Sequence, residues 1–251
     1  MVRPVPAIAT VVGIATIAGC SAHQTDASGS VTVFAAASLT STFTELGSRF
    51  EQDHPGTSVR FNFAGSADLE SQLAQGAPAD VFASADTDIM ARAAEAGLLA
   101  GEPADFATNT LTIVTTPGNP TGIQTFADLA RPGTQVVVCA PQVPCGAATE
   151  KVESAAGVTL APVSEESAVT DVLGKVTSGQ ADAGLVYVTD AAGAGSDVTA
   201  IPFPESGGAA NRYPIAVLDG SANSGAAREF VDLVTGPQGR EVLAAAGFAA
   251  P

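Results

Sequence analysis

The sequence is poor in aromatic and basic residues. Its 251 residues include no tryptophan, 2 tyrosines and only 10 lysines and arginines, against 26 aspartates and glutamates. Binding to phosphate backbones requires clustered Lys and Arg, so this balance excludes a nucleic-acid-binding protein. Charged residues make up 14% and hydrophobic residues 46%, which excludes a disordered chain. The length suffices for one domain or for two of about 100–125 residues, with cores of Ala, Val, Leu and Phe.

Common catalytic motifs are also absent. The sequence contains no G-x-S-x-G, Walker A, G-x-G-x-x-G or H-E-x-x-H motif. It has two histidines, His23 and His54, and both lie in polar segments, so a Ser-His-Asp triad is hard to build. We therefore expect a protein that is not an enzyme. A hydrolase that uses Ser38 or Ser66 as its nucleophile is the catalytic alternative.

Residues 1–19 have the pattern of a signal peptide. Arg3 is followed by about fifteen apolar or small residues, a stretch that is too short for a membrane span of ~20 residues. The stretch ends in Ala18-Gly19-Cys20, which resembles the bacterial lipobox, where a small residue precedes a cysteine that becomes lipidated. We expect residues 20–30 to form a polar tether, anchored to the outer face of the membrane by lipid on Cys20. An ordinary signal peptide with an incidental cysteine is the alternative.

Two further cysteines, Cys139 and Cys145, lie six positions apart in the exported part of the chain. Disulfides form outside the cytoplasm, and the turn-rich segment between these cysteines can bring the two sulfurs together. A metal site is less favoured, because no histidine or third cysteine lies nearby. The two residues are therefore either a disulfide or two free small hydrophobic side chains.

From residue 31 onward, short apolar runs alternate with helical patterns. The predicted strands are Val31–Ala36, Val59–Phe63, Asp80–Ala83, Leu111–Thr115, Gln135–Cys139, Gly184–Val188 and Tyr213–Leu218. The segments between them carry apolar stripes at helical spacing, which predicts an α/β fold. Breaks near residues 108–110 and 202–210 predict two lobes, residues 31–109 with 208–251 and residues 110–207. Two chain crossings permit the lobes to close over a ligand.

Small residues stand where several predicted strands lead into helices. Ser38 and Ser66 are expected to be helix N-caps, Cys145 precedes a helix predicted to begin at residue 147, and Val169 opens another. In open α/β sheets, ligands lie beyond the carboxyl ends of strands and face helix N-termini. Such termini offer unpaired N–H groups and about half a positive charge. Four of them around one cleft would bind an anion without Lys or Arg.

A series of motifs runs along the whole chain beyond the tether. They are Val33–Thr40, Phe63–Ser66, Gly76–Asp86, Asn109–Val114, Val143–Gly146, Leu185–Asp190, Tyr213–Val217 and Gly236–Phe248. In this order they resemble the periplasmic molybdate-binding proteins of bacterial ABC importers. The resemblance implies a two-lobed, periplasmic-binding-protein-like fold of type II, with a tetrahedral oxyanion in the cleft between the lobes.

The resemblance also implies the ligands of the oxyanion. Ser38 and Ser66 would each offer a hydroxyl and a nearby backbone N–H. Cys145 and Val169 would offer backbone N–H groups, and Tyr187 would donate its hydroxyl. Cys145 departs from the small residue that the family has after Val-Pro, a change that a backbone donor tolerates. No side chain is expected to ligate a metal directly, and no cofactor is expected.

These donors suit an anion that carries no proton. Molybdate at neutral pH is such a dianion, whereas phosphate keeps a proton and calls for an acceptor such as Asp, which the matched positions lack. The net charge of −16 does not contradict this interpretation, because salt screens exposed charges over about 8 Å.

The resemblance therefore implies a monomeric, lipid-anchored receptor outside the cytoplasm. It would capture molybdate, and also tungstate, and deliver it to a membrane permease and its ATPase. A receptor for sulfate or another tetrahedral oxyanion is the alternative in the same class. A lipid-anchored structural or adhesion module without a ligand is the alternative in a different class.

Overall fold

A computed structural model describes residues 29–251. The predicted signal peptide, Cys20 and the tether as far as residue 28 lie outside the described residues. Within the described range, no helix has both the length and the apolar character to cross a bilayer.

The strands of the described chain fall into two sheets. Their bounds are β1 (Ser30–Ala36), β2 (Ser58–Ala64), β3 (Val81–Ala83), β4 (Ala104–Asn109), β5 (Leu111–Thr115), β6 (Val136–Cys139), β7 (Ser164–Glu166), β8 (Ala183–Tyr187), β9 (Thr199–Ile201) and β10 (Asn211–Val217). The first sheet has the order β2-β1-β3-β10-β4 and the second β7-β6-β8-β5-β9. In each sheet the first three strands pair in parallel. The fourth strand, β10 or β5, runs antiparallel to both of its neighbours.

Helices cover these sheets. Their bounds are α1 (Thr40–Asp53), α2 (Ser66–Ala74), α3 (Thr87–Glu95), α4 (Pro144–Ala156), α5 (Val169–Thr177), α6 (Val188–Ala194), α7 (Ser224–Thr235) and α8 (Pro237–Ala245). We call the sheet that contains β1, with helices α1–α3, α7 and α8, the first lobe. The sheet that contains β5, with α4–α6, is the second lobe. The chain passes from the first lobe to the second at residue 110 and returns at residue 210. The predicted α/β class is confirmed.

The core of the first lobe is built around phenylalanine. Phe43 and Phe50 lie on the apolar face of α1, and both side chains are almost fully buried. They pack on Phe230 of α7, with ring centroids 6.0 and 5.6 Å apart, and Phe106 of β4 lies 5.7 Å from Phe43. Four rings thus supply the bulk that a core without tryptophan needs.

The core of the second lobe consists mainly of branched aliphatic residues. Strands β5, β6 and β8 are buried along their whole length, as expected for a sheet covered by helices on both faces. Helix α5 packs on them through Val169, Val172 and Val176, which are at most 4% exposed. The apolar stripe of this helix therefore faces the core.

Several element bounds differ from those predicted. Helix α4 begins at Pro144 rather than at residue 147, because proline is pre-organised for the first helical position and has no N–H to leave unpaired. Val188 is the first residue of α6 rather than the last residue of a strand. Ser30 belongs to β1, where it pairs with Ser58, and not to the tether.

Candidate functional site

A small cavity lies between the lobes, at the carboxyl ends of strands from both sheets. The space between its walls, together with the solvent at its open mouth, amounts to about 240 Å³. It is lined by Ala36, Ala37, Ser38, Gly65, Ser66 and Ala85 of the first lobe and by Val143, Pro144, Cys145, Ser167, Ala168, Val169 and Tyr187 of the second. All five residues predicted as oxyanion ligands line this one cavity.

Ser38 follows β1 in a short 3₁₀ helix, Ala37–Leu39, instead of capping α1. The N-cap of α1 is Leu39, which makes no side-chain cap. The Ser38 hydroxyl lies 3.1 Å from the hydroxyl of Tyr213, in β10. The predicted N-cap is therefore wrong, because an extra 3₁₀ turn separates the strand from the helix and points this hydroxyl at Tyr213.

Ser66 is the first residue of α2, and the N-cap position belongs to Gly65. The side chain of Ser66 is 2% exposed, and its Oγ accepts a hydrogen bond of 3.0 Å from the Ala85 N–H. The predicted N-cap is wrong here as well, because the serine hydroxyl satisfies a buried N–H from the loop after β3. That accepted bond leaves the hydrogen of the hydroxyl free to donate.

The second lobe presents two helix N-termini to the cavity. Cys145 is the second residue of α4, and Val169 is the first residue of α5. The N–H groups of a first helical turn have no acceptor within the helix, and they carry the positive end of the helix dipole. Both helices therefore offer donors to an anion in the cavity.

The N-terminus of α4 is held tightly against the end of β6. A disulfide joins Cys139, the last residue of β6, to Cys145. Gly146 packs so closely on this strand that a Cβ atom there would lie 1.8 Å from the Ala140 carbonyl oxygen. A covalent link and a close backbone contact thus both fix the position of the Cys145 N–H.

Tyr187 ends β8, and its ring is 1% exposed. Its hydroxyl accepts a hydrogen bond of 2.9 Å from Nδ2 of Asn211. Burial, together with the nearby Tyr213, raises the pKa of Tyr187 well above its ordinary value, and burial also raises the pKa of Tyr213. Both phenols therefore keep their protons at neutral pH.

No charged side chain is among the residues that line the cavity. Asp190 is an acidic residue close to it; its side chain accepts a hydrogen bond of 3.0 Å from the Tyr187 N–H, and burial raises its pKa to about 7. In residues 29–251, no three His, Cys, Asp or Glu side chains are placed to hold a metal ion. The cavity thus offers neutral donors from hydroxyls and backbone.

The lobes touch each other at the cavity. Gly65 of the first lobe lies against Ser167 of the second, and a Cβ atom on Gly65 would be 2.1 Å from the Ser167 carbonyl oxygen. The sequence did not predict this contact, nor the hydrogen bonds of Tyr213 and Asn211 to residues of the cavity. Tyr213 belongs to a motif that resembles the family, Tyr213–Val217, but the resemblance assigned it no role. Asn211 lies outside these motifs, and no sequence pattern pointed to it.

Two α/β lobes, joined by two crossings and enclosing a cavity, define a two-lobed solute-binding protein. The chain belongs to the bacterial extracellular solute-binding protein family, whose sequence profile matches residues 31–249.

Its relatives carry more specific names. The molybdate-binding protein ModA of Mycobacterium tuberculosis (strain H37Rv) is 56% identical over 234 residues, which cover 93% of this chain and 90% of the relative. The molybdate-binding protein ModA of Escherichia coli (strain K12) is 31% identical, with 88% of this chain and 89% of the relative covered.

Solved structures share the fold. The Azotobacter vinelandii periplasmic molybdate-binding protein matches with a TM-score of 0.76 at 23% identity, covering 88% of this chain and 99% of that one. The sulfate-binding protein SubI of Mycobacterium tuberculosis H37Rv matches with a TM-score of 0.73 at 24% identity, covering 88% and 86%. These likenesses confirm the predicted two-lobed binding-protein fold of type II.

Proposed function

We propose that this protein captures molybdate outside the cytoplasm and delivers it to an ABC importer. One observation carries the proposal: the five predicted donors line a single cavity between the lobes, and no charged side chain lines it with them. The family and the name of the 56% identical relative, a molybdate-binding protein, support the same ligand.

The chemistry of the donors fits a tetrahedral dianion. Ser38, Ser66 and Tyr187 supply hydroxyls, and the first turns at Cys145 and Val169 supply backbone N–H groups. A hydrogen bond to a charged acceptor contributes roughly 1.5–3 kcal/mol, so several such bonds from both lobes offset the cost of removing the dianion from water. Because donors come from both lobes, the ligand stabilises the closed form.

Within residues 29–251, no histidine can act as general base for a hydrolytic role of Ser38 or Ser66. His54 lies just after the far end of α1, where its ring stacks on Phe50 with centroids 4.2 Å apart and its Nδ1 faces Glu229 at 3.4 Å. Helix α1 has 14 residues and is therefore about 20 Å long, which separates His54 from Ser38, just before its start, and from Ser66, which lines the same cavity as Ser38. His23 lies outside the described residues.

The remaining parts of the proposal concern delivery. The protein is a monomer anchored by lipid on Cys20, and it presents the closed lobes to a membrane permease that a cytoplasmic ATPase drives. Tungstate binds as well, because it is also a tetrahedral dianion of nearly the same size. The protein contains no cofactor, and molybdate is its cargo.

Sulfate is the competing ligand, because it too has four unprotonated oxygens and the same neutral donors suit it. Titration calorimetry with molybdate, tungstate, sulfate and phosphate separates the two proposals. We expect one molybdate or tungstate per chain, much weaker binding of sulfate and the weakest binding of phosphate. If sulfate binds more tightly than molybdate, the proposed function is wrong.

A further inference from the structure

Asn211 lies at the return crossing between the lobes, as the first residue of β10, and it is 6% exposed. Its Nδ2 is 2.9 Å from the Ala85 carbonyl oxygen in the first lobe. In the second lobe it is 3.3 Å from the Pro144 carbonyl oxygen and 2.9 Å from the Tyr187 hydroxyl. Asn211 does not line the oxyanion cavity, so it reaches Tyr187 from outside that cavity.

The two carbonyl groups fix the direction of the hydrogen bond to Tyr187. A carbonyl oxygen only accepts, so the Asn211 side chain must turn its NH₂ group, and not its oxygen, toward Ala85 and Pro144. An amide nitrogen donates and does not accept. The Tyr187 oxygen is therefore the acceptor in its contact with Asn211.

A phenol carries one hydrogen, so the hydrogen of Tyr187 must go to an acceptor other than Asn211. Within the protein that acceptor is the hydroxyl of Tyr213, whose ring centroid lies 5.9 Å from that of Tyr187. A charged oxyanion is the stronger acceptor and takes the hydrogen when it binds. Tyr187 lines the cavity, and an oxyanion bound there supplies an acceptor. Since the phenol stays protonated at neutral pH, it has a hydrogen to give.

We propose that Asn211 is a positioning residue that turns Tyr187 into an obligate donor toward the bound oxyanion. This inference rests on the proposed function. With its oxygen already accepting from Asn211, Tyr187 is a poor acceptor for a ligand hydrogen, so the site favours oxyanions without a proton, such as molybdate, over hydrogen phosphate. Asn211 thereby determines specificity without touching the ligand.

A double-mutant cycle tests this role. Affinities of wild type, Asn211→Leu, Tyr187→Phe and the double variant are measured by calorimetry, with whichever of molybdate, tungstate and sulfate binds wild type most tightly. Each single variant is expected to weaken binding roughly tenfold, because each loses one oriented donor. The double variant is expected to lose about tenfold as well, rather than about a hundredfold, since both changes remove the same interaction.

The ratio of the molybdate affinity to the phosphate affinity is compared between wild type and Asn211→Leu. If Asn211 only supported the fold, this ratio would not change. In Asn211→Leu the Tyr187 hydroxyl is free to rotate and to accept from a protonated ligand, so the ratio is expected to fall. A distorted cavity would weaken both anions alike.

Two further variants complete the experiment. Asn62→Leu removes an amide whose Nδ2 donates to Gln72 at 2.9 Å, away from the cavity, and is expected to bind like wild type. Asn211→Ser is the second test variant, used in place of Asn211→Leu if thermal melts show that leucine unfolds the protein. Its short hydroxyl side chain does not reach Tyr187, so the same coupling is expected.

The outcomes separate this inference from the proposed function. An additive cycle, or an unchanged ratio of affinities, overturns the role of Asn211 and leaves molybdate capture standing. Tighter binding of sulfate than of molybdate to wild type overturns the proposed function, while the cycle run with sulfate still decides the role of Asn211. If wild type binds none of the three anions, both proposals fail.

Discussion

At the scale of single residues, the two serines of the cavity differ in what else they do. The Ser66 hydroxyl accepts from the buried Ala85 N–H, whereas Ser38 only shares a hydrogen bond with another hydroxyl, that of Tyr213. A buried donor that loses its partner costs about 1–3 kcal/mol of stability.

This difference predicts distinct effects of two alanine variants. Ser38→Ala is expected to weaken molybdate binding roughly tenfold with little change in the free energy of unfolding. Ser66→Ala is expected to weaken binding similarly and also to lower the free energy of unfolding by about 1–3 kcal/mol. Calorimetry and denaturant unfolding measure the two quantities. Wild-type affinity in both variants would mean that the serines are not ligands.

Asp190 predicts a pH dependence of stability. Burial raises its pKa from 3.8 to about 7, so between these values the folded protein holds a proton that the unfolded chain releases. The free energy of unfolding should therefore fall as the pH rises from about 4 to about 7 and stay low above that, by at most roughly 4 kcal/mol.

Asp190→Asn removes this titration and keeps an oxygen to accept from the Tyr187 N–H. We expect the variant to be more stable than wild type at pH 8 and to differ little from it at pH 5, as measured by denaturant unfolding. Parallel pH profiles for the two proteins would show that Asp190 is ionised in the fold throughout.

At the scale of secondary structure elements, apolar patterns predicted the buried elements and failed at the edges. The cores of β1, β5, β6 and β8 were predicted because they are continuous apolar runs. Strand β7 has the sequence Ser-Glu-Glu, and β9 has three residues at the edge of its sheet, so neither carries an apolar pattern. Helix α6 follows β8 with no intervening loop, and its start was therefore assigned to the strand.

The candidate site was predicted for a different reason. Composition and periodicity indicated helix N-termini around a cleft, but only the family resemblance selected Tyr187 from the buried strand residues. Asn211 and the contact of Gly65 with Ser167 could not be predicted. Both depend on how the two lobes meet, which no local pattern encodes.

The link between β6 and α4 gives a prediction at this scale. The disulfide closes a short loop and so lowers the conformational entropy of the unfolded chain. Replacing both Cys139 and Cys145 by alanine is therefore expected to lower the free energy of unfolding by about 2 kcal/mol. Molybdate binding should weaken and not disappear, because position 145 contributes a backbone N–H and Gly146 still holds the helix against Ala140.

The measurements are denaturant unfolding and calorimetry on the double variant. A reducing agent added to wild type should reproduce the loss of stability and leave the double variant unchanged. If the double variant is as stable as wild type, the disulfide does not constrain the unfolded chain.

At the scale of the whole molecule, ligand capture depends on how the lobes meet and not on net charge. A chain with a charge of −16 would repel an anion at long range, but salt screens exposed carboxylates over about 8 Å, and uncharged groups line the cavity. Binding should therefore rest on contacts that form as the lobes close, and a substitution that hinders closure should act on affinity alone.

Gly65→Ala is such a substitution. The backbone angles of Gly65, φ −57° and ψ 138°, suit any residue, so an alanine at this position adds no backbone strain. Its Cβ, however, would lie 2.1 Å from the Ser167 carbonyl oxygen of the other lobe. We expect at least a tenfold loss of molybdate affinity, with the free energy of unfolding of the ligand-free protein nearly unchanged. Gly225→Ala is the control, because a Cβ there meets no atom within 4 Å.

Small-angle X-ray scattering tests the cause of that loss. Addition of molybdate should reduce the radius of gyration of wild type and of Gly225→Ala, because the donors of both lobes converge on the anion. In Gly65→Ala the reduction should be smaller, since the methyl group keeps Ser167 and the rest of the second lobe at a distance. Full compaction of Gly65→Ala together with wild-type affinity would contradict this role, and would mean that the lobes hold the ligand without the close approach of Gly65 to Ser167.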